Sequence, residues 1–316
     1  MRRAQEFAFD SLRGGLPKLG AEAMPDPVQA LKDLRPTQEH FIGIDSDGCV
    51  FDTMEIKHKE CFTPMFIKHF RLQAASKYAR EVWEFVNLYS KTRGLNRFPA
   101  LVRALRLLAT RPEVRARAVP GWDSRPLEEW IARETKLGNA TLQREVDGGN
   151  TALQTVLEWS MAVNRAIEDM VFGVPPFPLF RESLLRMTQH ADVGVVSQTP
   201  TEALVREWTE HGIDSFVRFV AGQELGTKTE HLQLAAAGKY PPHNLLMIGD
   251  APGDQKAAKA NRSLFYPIIP GAEEAAWKRF HDEALDRFLS GTYAGAYETE
   301  RIREFEASLP EQPKWG

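Results

Sequence analysis

FIGIDSDGCVFDT, residues Phe41 to Thr53, runs a short strand-like stretch straight into three aspartates, Asp45, Asp47 and Asp52, with Gly48 among them. Two carboxylates about 4 Å apart repel by roughly 4 kcal/mol at an effective dielectric near 20. A chain that gathers them at the end of a strand therefore needs a counter-charge. A hard divalent cation such as Mg2+, which takes carboxylate and carbonyl oxygens and keeps several waters, would turn the repulsion into a site. A solvated turn, where Asp and Gly are common, is the other reading of the same stretch. The rest of the chain has to decide between them.

The 316 residues leave room for two packed domains. A net charge of only -3 provides no overall field for nucleic acid or an anionic membrane, so neither is expected as a main partner. Cys49 and Cys61 have neither paired metal-ligand spacing nor the density of a secreted disulfide scaffold, which fits a reducing cytoplasm. The basic start, MRRAQEFAFDSLRGG, lacks an apolar h-region, and no later stretch approaches the roughly 20 apolar residues that span a bilayer. The expectation is a protein with neither signal peptide nor membrane segment.

Outward from the opening stretch, residues 1–36 read as a lead-in arm with one helical pattern, PVQALKDLR, for which Asp26 is the expected N-cap. Phe41 to Ile44 reads as the first buried strand. Residues 55–173 then carry helical periodicity only, in Ala75 to Lys91, Pro99 to Thr110, Pro126 to Lys136 and Thr151 to Phe172. VPPFP, Val174 to Pro178, stops this block. Beyond it, strand-like runs (VGVVS from Val193, FVRFVAG from Phe216, LLMIG from Leu245, SLFY from Ser263) alternate with helix-like ones. Alternation of this kind argues for βαβ units and a parallel sheet. The strand at Phe41 must join that sheet, since a lone strand buries neither face. The expected fold is α/β: a Rossmann-like parallel-sheet core from residues 37–54 and 174–270, an inserted all-helical cap from 55–173, and a C-terminal extension, 271–316, with two further helices and a polar end.

In open parallel sheets ligands bind beyond the carboxyl ends of the strands. The first strand delivers Asp45 and Asp47 there, the second Ser197, Gln198 and Thr199, the loop after the third Lys228, and the fourth Asp250 and Asp254. This set resembles the haloacid dehalogenase superfamily of phosphohydrolases, in particular members with a helical cap inserted after the first motif, such as phosphoglycolate phosphatases and β-phosphoglucomutases. DSDGCVFDT is similar to the family's first motif, VVSQT to its second, GTKTEH to its third and IGDAPGD to its fourth, in the family's order.

The resemblance implies a Mg2+-dependent phosphomonoester hydrolase acting on a small phosphorylated metabolite through an aspartyl-phosphate. Asp45 would be the nucleophile. Asp47 would be the general acid and base, with its backbone carbonyl toward the metal. Asp250 would complete the metal set of Asp45, Asp47 and Asp250. Lys228 would neutralise phosphate and nucleophile together, while Ser197 and Gln198 would bind phosphate. Asp254 either supports the metal site or caps the following helix, and Gly48 lets backbone approach the ligand. Cys49 and Ser46 depart from the family's usual residues, and Asp47 argues against dehalogenation, which needs no protonated leaving group.

In the cap, KTRGLNRF (Lys91 to Phe98) groups Arg93, Asn96 and Arg97 around Gly94, either as a substrate-recognition loop or as a helix connection. Lys57 and His58 lie on the cap's first helix, and Lys57 stands where mutases of the family have a histidine, which favours hydrolase over mutase. A phosphomutase and a catalytically silent phospholigand-binding protein remain the alternatives. A monomer and a homodimer are both compatible with the sequence.

Overall fold

The computed structural model describes residues 27–117, 119 and 121–315, so the cap role expected of Asp26 lies outside the described residues. Five strands, β1 (His40–Ile44), β2 (Ala191–Val196), β3 (Val220–Ala221), β4 (Leu245–Gly249) and β5 (Leu264–Pro267), form one parallel sheet in the order β3-β2-β1-β4-β5. β2 and β4 are buried along their whole length and β1 after its first residue, because helices cover both faces of the sheet. That is why these strands are near-continuous apolar runs rather than alternating ones.

Asp192 breaks the apolar run of β2 and is satisfied at the amino end of the sheet. It accepts hydrogen bonds from the Thr37 and Gln38 backbone N–H groups and from the Tyr240 hydroxyl. A buried carboxylate is tolerable only with such donors.

From β1 the chain moves outward to β2 and β3, then returns to the far side of β1 to lay down β4 and β5. At such a switch point the loops leaving neighbouring strands diverge and leave a crevice at the carboxyl ends. One face of the sheet packs Ile42, Ile44, Val193 and Ile248 against Phe180, Trp277 and Phe280. The opposite face packs Phe41, Val196 and Met247 against Leu232, Ala257 and Phe305. The helical block has a core of its own, built around Phe66, Trp83, Phe98, Trp130 and Trp159.

The helices expected between residues 55 and 173 are present as Ser76–Asn87, Arg97–Thr110, Arg125–Arg133 and Gln154–Met170, joined by the single turn Pro112–Arg115 and by a longer helix, Asn139–Asp147. That helix buries only Leu142, so its sequence carries almost no apolar period to read. The first cap segment runs helically from Thr53 to His69 with a π-type stretch at Lys57–Phe62. Pro64 has no N–H to donate, and the widened turn before it, where the Thr63 hydroxyl donates to the His58 carbonyl, absorbs the interruption. The outgoing and returning chains lie side by side: Phe51 bridges Pro176, and the Phe177 N–H donates to the Val50 carbonyl at 2.8 Å.

Two expectations change. FVRFVAG forms only the two-residue β3, preceded by a 3-10 turn at Asp214–Phe216, although the Arg218 N–H still donates to the Val193 carbonyl along β2. Being at the edge, it pairs on one side only. The C-terminal helices are found, as Glu273–Leu289 with a π-type stretch inside it and as Ala296–Ser308. The end beyond them is not merely polar, since the Trp315 ring meets Phe85 of the cap at 5.4 Å. Among the described residues no helix is long and apolar enough to cross a membrane.

Candidate functional site

Parallel register sets Ile44 abreast of Val195 and Ile248, so Asp45 emerges one residue past this line and Ser197 and Asp250 two residues past it. The Asp45 N–H still donates to the Ile248 carbonyl at 3.0 Å, which keeps its backbone in the ladder. Its carboxylate accepts from the Ser46 N–H at 2.8 Å on one oxygen and from Lys228 Nζ at 2.6 Å on the other. Lys228 opens the helix Lys228–Ala235, fixed by a capping box between Thr227 and Glu230. The same ammonium donates to Asp254 Oδ1 at 2.5 Å. Burial works against its charge, but Asp254 and Asp45 outweigh that and raise its pKa.

Asp254 Oδ2 accepts the backbone N–H groups of Asp250 and Ala251 at 3.1 and 3.0 Å. Of the two roles weighed for this residue, the helix cap is made, by one oxygen at the start of the helix Pro252–Ala260, while the other oxygen anchors Lys228. Ligand oxygens of Asp45, Asp250 and Asp254 lie within 4.8 Å of one another, and all three residues are buried. Burial raises the pKa of Asp250 and Asp254, and mutual repulsion with Asp45 adds to it. Asp250 Oδ1 is buried without a hydrogen-bond partner. An orphaned carboxylate oxygen amid an all-oxygen set fits a hard divalent cation.

Asp47 faces elsewhere. Its Oδ1 accepts from Lys57 Nζ and from the Thr53 hydroxyl, each at 2.5 Å, and its Oδ2 from the Thr199 hydroxyl at 2.6 Å. Burial alone would raise its pKa, but the Lys57 charge and the three hydrogen bonds hold it at about 2. The Asp47 carboxylate is thus outside the carboxylate cluster, which leaves its backbone carbonyl as the part expected to face a metal. Gly48 follows at φ 74°, where a Cβ would lie 2.4 Å from Arg93 Nη2 and 2.7 Å from Asp250 Oδ2. Only glycine takes this turn without displacing the site.

Ser197 is buried at the end of β2, its hydroxyl accepting the Thr199 N–H at 3.3 Å. The Gln198 amide donates to the Gly226 carbonyl at 2.9 Å and ties two loops together, while the neighbouring Thr199 turns inward to Asp47. Sequence reasoning named Thr199 without a role and missed Thr53; its place six residues after Asp47 in the next helical turn was the available signal. It also left Ser46 unexplained. The Ser46 hydroxyl accepts from Trp208 Nε1 at 3.0 Å and donates to Glu207 at 3.3 Å. Burial, with the Asp47 charge adding to it, pushes Glu207 to about 7.

The cap residues separate. Lys57 reaches down to Asp47, whereas His58, next to it, turns into the cap core, where it accepts from Trp83 Nε1 and burial lowers its pKa to about 3. The expected group Arg93, Asn96 and Arg97 is not one cluster. Asn96 caps the helix Arg97–Thr110 through the Phe98 N–H and donates to the Leu137 carbonyl. Arg97 donates to Ser160 and Asn164 and lies over the Phe62 ring. Both are occupied inside the cap because a helix start and a packed aromatic supply better partners than open solvent. Of these three, Arg93 is the one that reaches the sheet, where its Nε donates to Asp250 Oδ2 at 2.6 Å.

No protein-family model matches the chain, and no curated protein matches it. Solved structures do. A provisionally named phosphoglycolate phosphatase from Lactobacillus delbrueckii subsp. bulgaricus is 15% identical over 82% of this chain and 100% of its own, with a TM-score of 0.45. A β-phosphoglucomutase from Clostridium difficile is 14% identical over 79% and 97%, with a TM-score of 0.46. A haloacid dehalogenase-like family hydrolase from Streptococcus pneumoniae is 12% identical over 76% and 90%, with a TM-score of 0.40. At this distance the chemistry has to be read from the chain's own side chains.

Proposed function

We propose that this chain is a Mg2+-dependent phosphomonoester hydrolase of the haloacid dehalogenase type, working in the cytoplasm on a small phosphorylated metabolite. The observation that carries the reading is the opposed orientation of two aspartates two residues apart. Asp45 points into the carboxylate and lysine cluster, and Asp47 points away from it to Thr53, Thr199 and Lys57. A displacement at phosphorus needs these two positions: a nucleophile beside positive charge, and a separate acid-base group toward the leaving oxygen.

Asp45, Asp250 and the Asp47 backbone carbonyl would hold Mg2+, with Asp254 behind them. When bound, the ion supplies charge neutralisation between the anionic nucleophile and the phosphate. Asp45 attacks phosphorus to form an aspartyl-phosphate, and Lys228, already 2.6 Å from its carboxylate, neutralises the incoming oxygens. The buried Ser197 hydroxyl, beside the Thr199 N–H, is placed to bind a phosphate oxygen. Asp47 gives a proton to the leaving group and then takes one from the water that cleaves the intermediate. In the present arrangement Lys57 keeps Asp47 ionised, the form needed for the second half. For the first half, the leaving oxygen has to displace Lys57 from Oδ1, which removes the charge opposing protonation.

The test is phosphate release from a panel of phosphorylated metabolites with Mg2+, repeated with EDTA. Release that EDTA abolishes is the expected result. Isomerisation without release would make the chain a mutase, and binding without either would make it a silent phospholigand-binding protein.

A further inference from the structure

Arg93 is the residue of its loop whose side chain reaches the carboxylate cluster. It sits in the turn between the helices Ser76–Asn87 and Arg97–Thr110, where its N–H donates to the Ser90 carbonyl at 2.9 Å. Its guanidinium is held from both domains: Nη1 donates to the Leu88 carbonyl of the cap at 3.0 Å, and Nε to Asp250 Oδ2 of the core at 2.6 Å. Both side chains of the pair are 2% exposed. Nη2 lies against Gly48, within 2.4 Å of where a Cβ would stand.

Charge decides what this contact does. Three clustered carboxylates, Asp45, Asp250 and Asp254, face two cations, Lys228 and Arg93. With all three carboxylates ionised, these contacting groups are one positive charge short of balance, and Glu273 and Glu55 add negative charge toward Arg93 from further away. A divalent cation added to the cluster would leave a surplus positive charge in a buried space, beside a guanidinium sharing the same carboxylate. Like charges at such range, shielded from water, repel strongly.

Resting on the metal site read above, we propose that Arg93 competes with the divalent cation for Asp250, so that docking of the cap loop and metal binding oppose each other until phosphate arrives. A bound phosphate dianion removes the surplus and lets the guanidinium return with the metal in place. Coupling of this kind is reciprocal: if the docked loop weakens metal binding, the metal loosens the loop by the same factor. Arg93 is then a positioning residue acting through Asp250, and it links cap closure to the order in which metal and phosphate bind.

The experiment is calorimetric titration of Mg2+ into the full chain, wild type, Arg93→Gln and Arg93→Lys, together with hydrogen exchange over residues 88–96 of the wild type. Arg93→Gln should bind Mg2+ at least tenfold more tightly than wild type, while Arg93→Lys, which keeps the charge, should stay within about threefold of it. Mg2+ alone should speed exchange in residues 88–96, and inorganic phosphate added with Mg2+ should slow it again. Equal or weaker Mg2+ binding by Arg93→Gln, or exchange indifferent to Mg2+, overturns the proposal. The exchange measurement needs no substitution, so it decides even where Arg93→Gln fails to fold. Absence of Mg2+ binding in every protein would overturn the metal-site reading itself, and the proposal with it.

Discussion

Lys57, Thr53 and Thr199 make Asp47 a carboxylate with three donors and a pKa of about 2 against an ordinary 3.8. Folding therefore favours its ionised form. That contribution is complete above the unfolded value and disappears as the pH falls through about 2, worth about 2 kcal/mol at 1.36 kcal/mol per pH unit. Asp47→Asn should be less stable than wild type by about that amount at pH 7 in metal-free urea unfolding, and the deficit should close toward pH 2. Its turnover should fall by roughly 100- to 10,000-fold, the range for a lost general acid-base group, with Mg2+ affinity near wild type because its carboxylate lies outside the cluster. Equal loss of metal by Asp47→Asn and Asp250→Asn in calorimetry would reverse that division. Asp45→Asn should abolish turnover with the fold retained, and mass spectrometry of quenched wild type should find phosphate on Asp45. Phosphate on any other residue would remove Asp45 as nucleophile.

Among the elements, the loop Ser90 to Asn96 separates structural from chemical roles. Asn96 accepts the Phe98 N–H at 3.1 Å as an N-cap, so Asn96→Ala should cost about 1 kcal/mol of stability, read in urea unfolding, while kcat/KM keeps its wild-type value. A drop in kcat/KM beyond about threefold with unchanged stability would return Asn96 to the substrate side. The buried strands were legible because burial on both faces forces apolar runs, and the candidate site residues fall just past their carboxyl ends. The cap loop was not, since the direction of a side chain in a turn depends on partners far away in sequence. Arg93 meets Asp250 across 157 positions, and Arg97 meets Ser160 across 63. β3 was over-read for a related reason: FVRFVAG has strand composition, but an edge position lets all but two of its residues leave the regular ladder.

Over the whole molecule, the cap and the sheet have separate cores, and the chain's last residues cross from one to the other. The helix Ala296–Ser308 lays Phe305 against Phe265 of β5, with ring centroids 5.7 Å apart. Immediately afterwards the Pro310 carbonyl accepts the Lys91 N–H at 3.3 Å, the Glu311 carbonyl accepts Arg103 Nη2 at 2.7 Å, and the Trp315 ring meets Phe85 and lies under the Arg111 guanidinium. An aromatic pair is worth about 0.5 to 1.5 kcal/mol beyond its area, and an exposed cation-π contact about 0.5 to 1. The tail therefore holds the cap against the core by roughly 1 to 2 kcal/mol, a factor of about 5 to 30 in the population of opened cap. Removing the residues after Pro310 should speed hydrogen exchange in the cap loop 88–96 and at the start of the helix Arg97–Thr110 by that factor. Strands β1, β2 and β4 should keep their protection, because their core clusters contain no residue beyond Leu309. Faster exchange in the strands as well would mean that the tail supports the entire fold. Unchanged exchange everywhere would mean that Arg93 and the paired crossing at Phe51 and Pro176 hold the cap without it.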